Sequence, residues 1–188
     1  MERKNSKFPL IMKSIAAATA AITLFLIVLY ARYPLGWLYS AAISFGTTCF
    51  HFVMRLVVGW LTPALCKNIS PKHRWFQSRK WEPALYRWLH VKNWKGILPT
   101  YDPKQFDLER NSLEQIICNT CMAEIVHEVI MVCSFIPLLF TIAFGAFPVF
   151  LLTSVAAALY DSLFVIAQRF NRPRLVRILR KRSLKVHE

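Results

Sequence analysis

From Val129 to Gln168 the chain runs for 40 residues with one formal charge, Asp161. A soluble domain of this size has little reason to carry such a run, whereas two helical membrane crossings need about 20 apolar residues each. The run divides near Phe144-Gly145-Ala146-Phe147-Pro148, where glycine and proline supply a turn between antiparallel helices over 129–145 and 148–168. Ionisable residues gather at both ends: Ala123-Glu124-Ile125-Val126-His127 ahead of it and Arg169-Phe170-Asn171-Arg172-Pro173-Arg174 behind it. Chemistry at a bilayer surface is the working expectation.

Two more crossings precede this run. Ser14 to Ala31 is uncharged and reaches about 27 Å as a helix at about 1.5 Å per residue, which just spans. It exceeds a signal-peptide core, and a cut after Ala31 would put Leu29 where a small residue is preferred, so it reads as an uncleaved signal anchor. Residues 33–54 are a second uncharged stretch, followed by Leu56 to Cys66, apolar but interrupted by Gly59 and Pro63. This crossing is expected to be ragged, tilted or partly interfacial.

The chain is 55% apolar yet carries a formal charge of +14, so its apolar and basic residues must be segregated. The positive charge fits loops lying against anionic headgroups, and nucleic-acid binding is set aside because no recognition motif supports it. Arg3, Lys4, Lys7 and Lys13 precede the first crossing, residues 67–112 hold 10 Lys/Arg against 4 Asp/Glu, and 169–188 hold 8 against 1. Four crossings place all three segments, and so both termini, on the cytoplasmic side of the cell membrane, leaving Arg32 as the only basic residue outside. The expected fold is all-α, a multi-pass membrane helical bundle of about four crossings forming one domain over 1–188. Within 67–112, Trp75, Trp81, Trp88 and Trp94 are interleaved with Lys72, Arg74, Arg79, Lys80, Arg87, Lys92 and Lys95. This amphipathic, Trp-rich segment reads either as a peripheral helix anchored on membrane lipids or as a surface that also captures an anionic ligand, such as the phosphates of a carrier.

A helix beginning near Leu113 carries Glu114, Cys121, Glu124 and Glu128 on one stripe, with His127 beside them. Carboxylates facing lipid are expensive, so the stripe must face protein or water. Neutral imidazole suits removal of a hydroxyl proton, and His127 is the histidine with a carboxylate one turn away on a predicted helix at the membrane boundary. His127 is therefore the candidate base, with Glu124 or Glu128 fixing its tautomer. The bland alternative is a structural Glu124–His127 contact inside a bundle. No metal is expected, because a di-iron bundle wants a second Glu-x-x-His and further glutamates.

Arg169, Arg172 and Arg174, with Asn171 and Pro173 shaping a turn, suit bidentate contact with the phosphates of an acyl donor such as acyl-CoA or acyl carrier protein. Otherwise they form a stop-transfer cluster held by headgroups. Glu128 and Asp161 complete the candidate substrate contacts, and no bound cofactor is expected. His73 and His90 lie off the stripe, and their loss is expected to act weakly. Cys49, Cys66, Cys118, Cys121 and Cys133 read as small helix-packing residues, and no nucleophile elbow points to a covalent serine.

Trp81, Trp94-Lys95, Leu98-Pro99, Phe106-Asp107, Asn111, Glu114, Thr120, Ala123-Glu124-x-x-His127 and Gln168-Arg169-Phe170-Asn171-Arg172-Pro173-Arg174-Leu175 occur in an order and spacing that resemble the glycosyl-4,4'-diaponeurosporenoate acyltransferase family. The resemblance implies a bacterial membrane enzyme that transfers a fatty acyl group to a sugar hydroxyl of a glycosylated C30 carotenoid acid or related glycolipid. That is the last step of staphyloxanthin-type pigment synthesis. The chain departs from the family pattern at Asn119 (a glutamate in relatives), Met122 (a basic residue), Asp161 (Asn) and Leu163 (Pro). A reading from another class is a non-catalytic membrane subunit that organises lipid or pigment biosynthesis enzymes.

The charge pattern predicts the topology. With the native cysteines removed, single cysteines at Gln105 or Ser183 should resist an impermeant thiol reagent in intact cells and react once the membrane is opened. Labelling of either in intact cells would overturn the layout.

Overall fold

The computed structural model describes residues 6–66 and 69–186; Arg3, Lys4 and Lys67, which count among the basic residues flanking the crossings, lie outside the described residues. Among the described residues the structure is helical throughout, with no strand. Four stretches are long and apolar enough to cross a membrane: Phe8–Arg32, Gly36–Leu65, Leu113–Phe144 and Phe147–Leu184. The second has the lowest mean hydropathy, 1.5 against 2.0 to 2.2, because it contains His51 and Arg55.

Helix α1 (Phe8–Arg32) leads through Tyr33-Pro34-Leu35 into α2 (Gly36–Leu65). The expected break at Gly59 and Pro63 does not occur. Pro63 lies inside α2 near its C-terminal end, where it removes the one bond its N–H would have made to the Gly59 carbonyl and leaves only two helical residues after it. Two short helices, α3 (Glu82–Trp88) and α4 (Val91–Trp94), precede α5 (Leu113–Cys133). The third crossing is thus longer than 129–145 and carries the polar stripe on its own first half. After α5 the chain tightens into a 3-10 turn, Ile136–Phe140, and α6 (Thr141–Phe144), because Pro137 cannot donate within a continuing α-helix. The turn expected at 144–148 is present: Gly145 (φ 67°) and Ala146 (φ 46°) reverse the chain before α7 (Phe147–Val186). Positive φ is cheap for glycine and strained for alanine.

Two expectations need correction. Helix α7 does not end at Gln168, and Asn171-Arg172-Pro173 forms no turn; Pro173 lies inside the helix. Side chains at 169, 171 and 172 are bonded to partners outside α7, and those bonds hold the helical register through the proline. The Trp-rich segment is likewise no single peripheral helix. Pro71, Pro83, Gly96, Pro99 and Pro103 break it into short helices and turns. Trp75, Trp81 and Trp88 stay exposed, while Trp94 turns inward and its indole N–H donates to the Leu89 carbonyl at 2.8 Å.

The chain forms two compact units, each discontinuous in sequence. The first comprises the described residues of 1–6, 62–128 and 162–188 and holds the basic, Trp-rich segment. The second comprises residues 7–61 and 129–161. In the second, Leu24, Phe25, Val28, Val57, Ile142 and Leu152 are exposed, a pattern suited to contact with lipid tails. Small residues let α1 and α2 approach: a Cβ on Gly46 would meet the Thr23 methyl at 3.4 Å, and Cys49 Sγ lies 3.6 Å from the Ala16 carbonyl. Several hydroxyls donate within their own helices, as in Thr19 to Ile15 O and Thr47 to Ile43 O, both at 2.7 Å, whereas the buried hydroxyls of Thr141 and Ser154 meet no hydrogen-bond partner among the described residues. All five cysteines are free thiols.

The same unit contains a buried ion pair between Arg55 and Asp161, with Asp161 only 2% exposed. Arg55 also donates to the His51 carbonyl at 3.1 Å. Removing one partner strands a charge in an apolar interior. Arg55→Met alone should therefore destabilise the protein by about 3–5 kcal/mol, and adding Asp161→Leu should recover most of that loss. Thermal unfolding in non-ionic detergent measures both, and equal melting of the single variant and the wild type would count against the pair.

Candidate functional site

In the first unit, helical spacing aligns two sets of side chains. Thr120, Glu124 and Glu128 repeat every four residues along α5, and Arg169 and Arg172 are three apart on α7. Arg169 Nη1 donates to Glu124 Oε1 at 2.6 Å and Nη2 donates to Glu82 Oε1 at 2.7 Å. Arg172 pairs with the other Glu124 oxygen through Nη2, which also donates to the Thr120 carbonyl at 3.1 Å; Nε donates to Thr120 Oγ1 at 3.1 Å and Nη1 to the Phe76 carbonyl at 3.2 Å. Glu124 is fully buried, Glu82 is 2% exposed and Arg172 3%. Two guanidinium groups and two carboxylates thus neutralise one another out of water.

The network also reaches the loop after α2. Arg169 donates to the Trp75 carbonyl at 3.2 Å and to that of Gln77 at 3.4 Å. On the far side, the Tyr86 hydroxyl donates to Glu82 Oε2 at 3.0 Å. Burial, reinforced by the Glu82 charge, raises the Tyr86 pKa above its ordinary value and keeps the hydroxyl a donor.

Beside this network is a cleft of about 460 Å³ lined by Ile69, Ser70, His73, Trp75, Phe76, Ile125 and Glu128. The Trp75 indole N–H spans both oxygens of Glu128, at 2.9 and 3.2 Å, which orients the carboxylate. His73 Nδ1 accepts the Trp75 backbone N–H at 3.2 Å, so the neutral ring carries its proton on Nε2. A carboxylate acceptor, an imidazole donor and an exposed indole stand here among apolar walls, a set able to bind a polar, hydroxyl-bearing group on an apolar body.

The residues expected from sequence fall into different places. Glu128 lines the cleft. Glu124 does not serve as the partner expected for His127: both its oxygens are taken by Arg169 and Arg172. His127, half-buried, stacks on Phe164 with ring centroids 4.4 Å apart and planes 12° from parallel. Arg169 and Arg172, expected to hold phosphate, are neutralised by carboxylates because burial demands a counter-charge. Asn171 accepts from Lys95, and Arg174 is exposed. Asp161 belongs to the other unit, paired with Arg55. Among the described residues no group of three His, Cys, Asp or Glu is placed to hold a metal ion.

Sequence reasoning missed Glu82, which opens α3 just ahead of Pro83 in a segment otherwise rich in cations, and it discounted His73. Arg55 carried a signal: it is a lone charge among apolar residues, and the lone Asp161 has the opposite sign.

Fold and site together define an all-helical protein with membrane-capable helices and a carboxylate-bearing cleft locked by buried ion pairs. Residues 72–181, more than half of the chain, match the family described as glycosyl-4,4'-diaponeurosporenoate acyltransferase, and the chain belongs to that family. No curated protein and no solved structure matches the chain.

The network should behave as a structural unit. Glu124→Gln leaves Arg172 buried beside a neutral amide and should cost about 3–5 kcal/mol of stability. Arg172→Lys should not rescue the wild-type fold, because an ammonium cannot reproduce the fork that reaches Glu124, Thr120 and Phe76 at once. Arg174→Ala should leave melting unchanged. The unfolding midpoints of the three variants in detergent check this, and a stable Glu124→Gln protein would count against it.

Proposed function

We propose that this protein transfers a fatty acyl group from an activated donor, acyl-CoA or acyl carrier protein, to a sugar hydroxyl of a glycosylated C30 carotenoid acid or a related glycolipid. Family membership supports acyl transfer in general. The observation that carries the finer reading is the cleft, where Glu128 and Trp75 stand among Ile69, Phe76 and Ile125. Carboxylates accept hydrogen bonds from sugar hydroxyls, indole faces pack on sugar rings, and the apolar walls suit a hydrocarbon body.

In this reaction the sugar oxygen attacks the thioester carbonyl, a C–O bond forms, the C–S bond breaks, and the hydroxyl proton passes to a base and on to the departing thiolate. We assign the base to His127, whose ring plane is fixed by Phe164, and the acceptor contact to Glu128. The donor proton of His73 Nε2 suits a carbonyl or hydroxyl oxygen in the cleft. The proposal includes a multi-pass protein of the cell membrane, with residues 1–13, 67–112 and 169–188 on the cytoplasmic side, where an acyl donor is available.

His127→Phe keeps a ring to stack on Phe164 and removes the imidazole. It should lower turnover by about 100-fold to 10,000-fold, the usual range for a lost base. Glu128→Gln should raise KM for the glycosylated acceptor more than it lowers kcat. Acyl transfer measured on expression-matched membranes tests both, and near wild-type turnover of His127→Phe would remove the proposed base. Cells deleted for the gene should accumulate the unacylated glycosyl pigment. An unchanged pigment profile would favour a non-catalytic membrane subunit instead, a reading to which the purely structural bonding of Glu124 lends support.

A further inference from the structure

Lys95 is a half-buried cation outside the buried network and the cleft. Its ammonium is held by neutral groups alone. Nζ donates to Asn171 Oδ1 and lies 4.7 Å from the centroid of the Phe170 ring, which in turn meets Tyr86 edge-on at 5.6 Å. On α7, Arg174 lies three residues beyond Asn171 and four beyond Phe170, so all three share one side of the helix. Arg169 and Arg172 are matched by Glu82 and Glu124, but among the described residues no carboxylate pairs with Lys95 or with Arg174.

Two positive groups held close with no counter-charge are a poor final state for a folded protein unless an anion joins them. Burial, with the Arg174 charge adding to it, holds the Lys95 pKa below the ordinary lysine value. The donors are also spare. Lys95 retains two of its three N–H groups, Asn171 accepts through Oδ1 and keeps its amide N–H groups, and Arg174 presents its guanidinium.

We propose that Lys95, Asn171 and Arg174 form a phosphate-binding site. A tetrahedral anion with several oxygens and up to two charges matches the Lys95 ammonium, the Asn171 amide beside it and the Arg174 guanidinium on the same side of α7. The phosphate can come from an activated acyl donor or from a lipid headgroup, and the inference rests on the acyl-transfer reading only for the first source. It moves the donor contact away from Arg169 and Arg172, which are occupied, to the neighbouring pair that is not.

The test uses the full chain in non-ionic detergent, with inorganic pyrophosphate as probe and titration calorimetry as readout. Wild type should bind, with affinity falling as salt rises. Lys95→Gln and Arg174→Gln should each weaken binding by about tenfold, the effect of losing one charged contact. Lys95→Arg should retain most of the affinity. Arg177→Gln, an exposed cation nearby, should change it by less than about twofold. Displacement of pyrophosphate by coenzyme A identifies the donor as the source, and displacement by phosphatidylglycerol added to the micelles identifies a headgroup; both support the site. Absence of binding, or an equal loss in Arg177→Gln, overturns it. Binding needs no turnover, so an inactive protein with this binding pattern would sink the acyl-transfer reading and leave the site standing.

Discussion

The buried cluster of Arg169, Arg172, Glu124 and Glu82 is the interaction on which the first unit depends. It joins α5, α7 and the neighbouring pair of α3 and the loop carrying Trp75 to Gln77, three regions far apart in sequence. Charges are costly to bury, and removing any one strands its partner, so the four side chains act as a unit rather than as separate bonds. The loop they hold supplies the Trp75 and His73 wall of the cleft, while α5 supplies Glu128 opposite. The geometry of the cleft is therefore a consequence of the ion pairs.

This division of labour sorts the polar residues of one short stretch by chemistry. Glu124 is consumed by structure, whereas Glu128, one turn further along the same face, accepts from the Trp75 indole N–H and lines the cleft. Arg169 and Arg172 are consumed likewise, whereas Arg174 and Lys95 keep donors to spare. Glu124 and Glu128, like Arg172 and Arg174, are alike in type and close in sequence, and burial beside an opposite charge separates the structural member from the available one. The second unit repeats the rule in a sparer setting, where Arg55 and Asp161 neutralise each other among residues that otherwise suit lipid.

Much of the fold was legible in the sequence because membrane crossing is a one-dimensional property. Length, hydropathy and the Gly145-Ala146 turn are local, and they gave the number of long apolar helices and the reversal near residue 145. The errors lay where tertiary bonds override local signals. Pro173 reads as a turn by itself, yet bonds from Arg172 to Thr120 and from Lys95 to Asn171 keep it helical. The Trp-rich segment reads as one amphipathic helix by composition, yet its prolines and glycine divide it.

By itself, then, the sequence determined an all-helical chain with four membrane-capable stretches, a segregation of basic from apolar residues, and the Glu124–His127 and Arg169–Arg174 motifs as the chemically interesting region. Only the tertiary structure decided which of those motif residues are free to act. Pairing of charges depends on distances between segments such as 82, 124 and 169, and no local pattern encodes those distances. The desolvation that makes such pairing obligatory arises only once the helices are packed.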